Sequence, residues 1–354
     1  MAYFRSLPNK GKLLSQLTRE QRWLILVNAD PDAMASALAL KRILSHRVKD
    51  VAIAKVNEIS RPDNLAMVRY TRLHMVNFHR LMVPQYDYFA LVDSQPHHHP
   101  SFQDIPFSII IDHHPLPETP YEGGKLVDIR PQYGATSTIM TEYLYNLKIR
   151  PGKLLATALQ FGIKTDTDNF ERHFYDVDLR AYQYLSRFAD NTLLSRIARS
   201  EFRLEWLETF ARACTNLYGM RASGQYVFLG SIGSPDVLVN IADFFMRVYE
   251  IRWVAVGGLY GDTVVLIFRG DGISKDVGAL AIELFGELGS AGGHKSMARA
   301  EFSAAAAGAE DLELFVWKRL KNPLPSRQNA ECDEEKCLAG PDITQDLSAL
   351  ESDA

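Results

Sequence analysis

Short apolar runs alternate with longer segments of helical period along most of the chain. WLILV (23–27) reads as a buried strand, and the alanine-rich stretch from Met34 to Leu44 reads as a helix. VAIAK (51–55), YFALVD (88–93) and FSIIID (107–112) predict three further strands. A segment from Pro62, and segments 135–148 and 153–165, predict helices. Nearly continuous apolar strands separated by helices indicate α/β architecture, a parallel sheet covered on both faces. Residues 177–218 read as helical and rich in Arg, Leu and Ala.

A second, smaller α/β unit follows. Its predicted strands are 225–232, 251–259, 263–270 and 298–302, with helices near 234–249, from Lys275, and near 309–321. GSAGGH (289–294) reads as a glycine-rich loop. The resulting organisation is a lead-in over 1–22, a first domain over 23–188, a helical linker over 189–220, a second domain over 221–324 and a tail over 325–354. In that tail Asp and Glu outnumber Lys and Arg eight to two, so the reading is disorder.

Composition narrows the possibilities. Of the 354 residues 47% are hydrophobic and 23% charged, and the formal net charge is -4. A generic basic footprint for long nucleic acid is not expected. Cys214, Cys332 and Cys337 are too few for a disulfide framework. Neither a signal peptide nor a membrane-length apolar run is read. The expected compartment is the cytoplasm, with no membrane partner.

The candidate chemistry lies where predicted strands end. Asp30 and Asp32 follow WLILV, Asp93 follows FALV, and Asp112 follows SIII and leads into His113 and His114. Asp166 and Asp168 follow a predicted helix. In an open parallel sheet, ligands bind beyond the carboxyl ends of the strands. Singly, Asp32 reads as a helix cap, Asp93 and Asp168 as turn residues, and the histidines as strand-end polar groups. Together, several carboxylates at one sheet edge repel one another unless a cation neutralises them. Oxygen donors with imidazole suit Mn²⁺, Mg²⁺ or Fe²⁺.

Five motifs and one arginine-bearing strand then resemble those of the DHH phosphoesterases with their DHHA1 domain. IIIDHHP (109–115) resembles the signature, and DPDAMAS (30–36), LVDSQP (91–96) and GIKTDTDNF (162–170) match the other motifs in order. GSAGGHKSMARAEF (289–302) resembles the GGH motif, and IFRGDG (267–272) the arginine strand. The resemblance covers about residues 22–322. It implies a parallel-sheet DHH domain joined by a helical linker to a smaller DHHA1 domain. It implies one or two Mn²⁺ or Mg²⁺ ions held by Asp32, Asp93, His113 and Asp166. It implies catalytic roles for Asp112, His113 and His114, and substrate contacts from Arg269, Gly292, Gly293 and His294.

Two positions depart from the family. Asn28 stands where the family has His, and Met34 where it has a second Asp. Asp30 is the nearest stand-in ligand, and the run His97-His98-His99 reads as an exposed loop. The expected substrate is a short oligonucleotide or a nucleotide. The first reading is a metal-dependent phosphoesterase of the oligoribonuclease or nucleotide-phosphatase kind. The second is a degenerate protein that binds nucleotide or single-stranded ends without cutting. A pyrophosphatase is a third. The segment 189–220 would serve an interdomain bridge or a homodimer.

Overall fold

The computed structural model describes residues 3–321, apart from 5, 8–10, 12–14, 16, 117–120, 122, 172 and 201. The acidic tail, both of its cysteines and much of the lead-in lie outside the described residues. The chain divides into two compact units, Met1–Leu204 and Glu205–Ala354.

The first unit is built on six parallel strands. In chain order these are β1 (Arg22–Val27), β2 (Asp50–Lys55), β3 (Val76–Asn77), β4 (Tyr88–Val92), β5 (Phe107–Asp112) and β6 (Leu126–Ile129). Their spatial order is β3-β2-β1-β4-β5-β6, so the winding reverses between β1 and β4. Trp23 pairs with Val51 on one side and Tyr88 on the other, all parallel. Side chains alternate across the sheet. Trp23, Ile25 and Val27 enter the larger core, whereas Leu24 and Leu26 enter a second cluster with Phe89, Phe102 and Phe107. β3 and β6 are absent from the sequence reading. β3 is only two residues long, and β6 carries the alternating LVDI, which lacks a continuous apolar run.

Helix α1 (Pro31–Leu44) starts three residues before its predicted place, because Asp30 caps it and Pro31 takes the first helical position. Helices α2 (Pro62–Thr71), α3 (Thr136–Asn146) and α4 (Lys153–Asp166) fall close to expectation. The predicted helical stretch 177–218 is broken. It forms α5 (Asp176–Ser186), α6 (Asn191–Ala198) and α7 (Leu207–Thr215). Leu194 and Ile197 of α6 join the first unit's core, whereas Ala213 of α7 joins a core of the second.

The second unit also has six strands: β7 (Tyr218–Met220), β8 (Gly224–Ser231), β9 (Trp253–Tyr260), β10 (Thr263–Gly270), β11 (Gly289–Gly293) and β12 (Met297–Ser303). Their order is β11-β12-β10-β9-β8-β7. Only β8 and β9 pair in parallel; the other neighbours are antiparallel. Helices α8 (Asp236–Phe245), α9 (Val277–Phe285) and α10 (Leu312–Lys321) complete the unit. The GSAGGH stretch is a correction: residues 289–293 form an edge strand on β12 rather than a loop. Absent side chains allow that pairing. A Cβ on Gly289 would stand 2.2 Å from the Glu301 carbonyl oxygen.

Candidate metal centre

The carboxyl ends of β1, β4 and β5 meet where the strand order reverses. Asp32, in the first turn of α1, has no exposed surface. Its Oδ2 accepts the Thr136 amide at 2.6 Å and its Oδ1 accepts the Ser137 amide at 2.7 Å. The carboxylate thus sits at the positive end of α3. Gly162 on α4 permits the close approach. A Cβ there would stand 2.5 Å from Ser137 Oγ and 3.0 Å from Asp32 Oδ1.

Asp93 follows β4 in the left-handed region, with φ of 57°. Short polar residues tolerate that conformation better than most, yet it carries strain. Its Oδ1 accepts the Thr136 hydroxyl at 2.8 Å. Asp112 ends β5 without exposed surface. It binds His114 Nδ1 at 2.7 Å through Oδ1 and Gln95 Nε2 at 2.7 Å through Oδ2.

His113 Nδ1 lies 3.2 Å from the Tyr133 carbonyl oxygen. A carbonyl only accepts, so Nδ1 carries the proton and Nε2 is turned inward. Nε2 is buried without a hydrogen bond, 3.0 Å from Asp166 Oδ2 and 3.5 Å from Asp93 Oδ1. Asp166 is the last residue of α4.

Asp32, Asp93, His113 and Asp166 each offer one donor atom, and these atoms lie within 4.8 Å of one another. The electrostatics show what the group lacks. Burial, and then mutual repulsion, raises Asp32 to about 6 and Asp93 well above the usual carboxylate range. Asp166 is raised by burial as well. Burial would lower His113, but Asp166 and its neighbours outweigh it and hold the imidazole at about 9. These shifts share one cause, surplus negative charge in a dry pocket. Three carboxylates around one inward-turned imidazole nitrogen fit a divalent cation such as Mn²⁺ or Mg²⁺.

The departures at 28 and 34 have clear fates. Met34 is fully buried in the main core, where its thioether packs like any other apolar side chain. Asn28 is exposed. Asp30 does not join the four-residue group. Its Oδ1 is committed to the Ala33 amide at 2.8 Å as the cap of α1. Asp168 lies in a left-handed turn after α4, as its turn reading expects. His98 is exposed, as the loop reading expects, yet it is not idle. Its Nδ1 receives the Gln95 amide at 3.2 Å, and its ring packs 5.2 Å from that of His114. His98, Asp112 and His114 make another set of clustered donors, as do Asp93, His113 and His114.

Sequence reasoning missed the segment PQYGATST (131–138). It supplies the carbonyl that orients His113, the amides that hold Asp32 and the hydroxyl on Asp93. Behind it, buried Asp178 accepts Gly134 N at 2.9 Å, Thr138 Oγ1 at 2.6 Å and Tyr175 N at 2.8 Å. Arg130 forks onto Asp128 with two bonds of 2.7 Å and also meets Glu142. The one legible signal was a Thr-Ser-Thr cluster opening an apolar helical run.

In the second unit, Arg269 near the end of β10 donates through Nε to Asp243 at 2.7 Å. Gly292 leaves open space around its Cα, and Gly293 has φ of 151° with the Met297 carbonyl packed against it. His294 is exposed and its amide bonds the Met297 carbonyl at 2.7 Å. Arg269 on β10 and Gly292 and Gly293 on β11 therefore belong to one sheet with β12 between them, and His294 follows β11.

Residues 23–163 match the DHH family, N-terminal domain. Asp166 and Asp178 lie beyond that match. A curated relative, the uncharacterized protein MJ1633 of Methanocaldococcus jannaschii, is 32% identical over 275 residues, 78% of this chain. The chain spans 56% of that relative's length. The crystal structure of an exopolyphosphatase-related protein from Bacteroides fragilis is similar with a TM-score of 0.64. It is 16% identical and covers 87% of this chain and 92% of its own, which establishes the shared fold. Among the described residues, no helix is long and apolar enough to cross a membrane.

Proposed function

We propose that this protein is a metal-dependent phosphoesterase acting on short oligonucleotides or nucleotide phosphates. The observation that carries the reading is His113 Nε2, buried without a hydrogen bond between two carboxylates. The DHH match over 23–163 and the fold shared with an exopolyphosphatase-related protein support the same class.

In this reading Asp32, Asp93, His113 and Asp166 hold Mn²⁺ or Mg²⁺. When bound, the cation supplies a Lewis acid for a phosphoryl oxygen and lowers the pKa of water. The helix α3 amides fix Asp32, and the Tyr133 carbonyl keeps the proton of His113 on Nδ1. Asp112 holds the Nδ1 proton of His114, which leaves its Nε2 to exchange a proton with the leaving oxygen. Within the second unit, Arg269, the Gly292–Gly293 backbone and His294 are the groups that would meet a phosphate, and Arg269 would then exchange Asp243 for that anion.

The burial of Met34 and exposure of Asn28 favour a second reading, in which the site binds nucleotide or a strand end without cutting. Mn²⁺ stoichiometry, measured with hydrolysis of a short RNA and of a nucleotide monophosphate, separates the two. Asn28→His with Met34→Asp is the comparison. Metal-dependent turnover by the unaltered chain is expected. Turnover confined to the double variant would replace the first reading with the second.

A further inference from the structure

The first unit carries opposite charge at its two ends. Helix α1 runs from Asp30 and Asp32 to Leu44, and its 14 residues rise about 20 Å. At that far end, Arg42, His46 and Arg47 line a cavity of about 380 Å³ together with Ile149. Ile149 also lines a neighbouring cavity of about 590 Å³, whose cations are Lys148, Arg150 and Arg187. No carboxylate lines either cavity.

These cations are free for an anion. Among the described residues, Arg42 meets His46, Arg47 donates to the Ile43 carbonyl, and none of the five Arg and Lys side chains has a carboxylate partner. The Arg150 guanidinium lies 5.0 Å over the Phe188 ring, and that of Arg187 5.8 Å over the same ring. Stacking holds a guanidinium plane in place while its N–H edge stays available. Arg42 and Arg187 also stand at helix C-termini, where a cation is favoured. That accounts for single charges. It does not account for two adjoining cavities with only cationic charges in their walls, in a chain of net charge -4.

We propose that this end of the first unit binds a flexible chain of phosphates, with single-stranded nucleic acid as its ligand. Two concave sites that share Ile149 suit successive phosphates of a bendable strand better than one compact anion. The proposal stands apart from catalysis, since it concerns the face remote from the carboxylate cluster.

The test is fluorescence anisotropy of a labelled ten-nucleotide RNA on the full chain in EDTA. Saturable binding is expected. Five phosphate contacts would give a log–log salt slope of about 3.5, at roughly 0.7 per contact for single strands. Arg150→Ala with Arg187→Ala should weaken binding at least about tenfold and lower the slope by about 1.4. Thermal unfolding and Mn²⁺ stoichiometry should stay as in the parent. Inorganic polyphosphate that displaces the RNA at equal phosphate would identify the phosphate chain as the determinant. Failure to displace it would identify the nucleosides as required. No saturable binding of either polyanion at low salt, or equal binding by the double variant, would overturn the site.

Discussion

The Asp32 carboxylate receives the Thr136 amide at 2.6 Å across 104 residues of sequence. With Ser137 it forms a two-amide seat that fixes the carboxylate before any cation arrives. The same helix start gives Asp93 a hydroxyl. Two carboxylates from different strand ends are therefore positioned by one residue, Thr136.

That seat depends on Asp178. Its carboxylate ties Gly134, Thr138 and Tyr175 together and so sets where α3 begins. Asp178→Ala should cost roughly 2–4 kcal/mol, since buried donors lose their acceptor at about 1–3 kcal/mol each. Outer partners of this kind typically change metal affinity 10–100-fold, so Mn²⁺ binding should weaken by about that factor. Calorimetric titration with Mn²⁺ and urea unfolding check the two effects. Unchanged Mn²⁺ affinity in a folded variant would remove Asp178 from the metal argument.

Much of this was readable in advance, and the division has a physical reason. β1, β2, β4 and β5 are buried on both faces, so their apolar runs announce them. Asp32, Asp93, Asp112, His113 and Asp166 stand at strand or helix ends within quotable motifs. Residues such as Thr136, Tyr133 and Asp178 act through backbone groups or through partners about 20 to 105 positions away. A Tyr whose carbonyl matters has no side-chain signature. The edge strand at 289–293 hid because glycines signal turns, while here they admit a neighbouring backbone.

pH should act on the metal-free protein in one direction. Asp32 has a folded value of about 6, above the ordinary 3.8. The folded state therefore keeps protons that the unfolded state has released, and stability falls as pH rises from about 4 to 6. His113 is raised from 6.5 to about 9, so its contribution is complete below 6.5 and lost as pH climbs to 9. Melting in EDTA should thus drop steadily from pH 5 to 9. Mn²⁺ should reverse the trend, stabilising most at high pH where the ligands are deprotonated. A metal-free melting temperature that rises over that range would contradict the electrostatic account.

Arg130 stabilises the unit without being a ligand. It neutralises Asp128 and Glu142, and Tyr143 adds a bond of 2.7 Å to Asp128. Arg130→Met takes the cation from two mostly buried carboxylates, leaving them tyrosine hydroxyls as neutral donors, and should cost about 3–5 kcal/mol. Arg130→Lys should recover only part of this, because an ammonium cannot fork onto Asp128. Denaturant midpoints at pH 7 measure both. A lysine variant as stable as the parent would show that charge alone suffices.

His113 and His114 are neighbours in sequence but should separate in experiment. His113 turns Nε2 into the carboxylate group, whereas His114 is tied through Nδ1 to Asp112 and keeps a side-chain exposure of 41%. His113→Ala should remove stoichiometric Mn²⁺ binding, because it deletes the one nitrogen of the four-donor set. His114→Ala should keep binding within about threefold and lower turnover by about 10²–10⁴, the usual contribution of a positioned proton donor. Rapid-quench turnover and Mn²⁺ titration on both variants distinguish the roles. Should His114→Ala lose the metal as fully as His113→Ala, the Asp93, His113 and His114 donor set would be the binding site instead, and the orientation of His113 toward Asp166 would lose its assigned purpose.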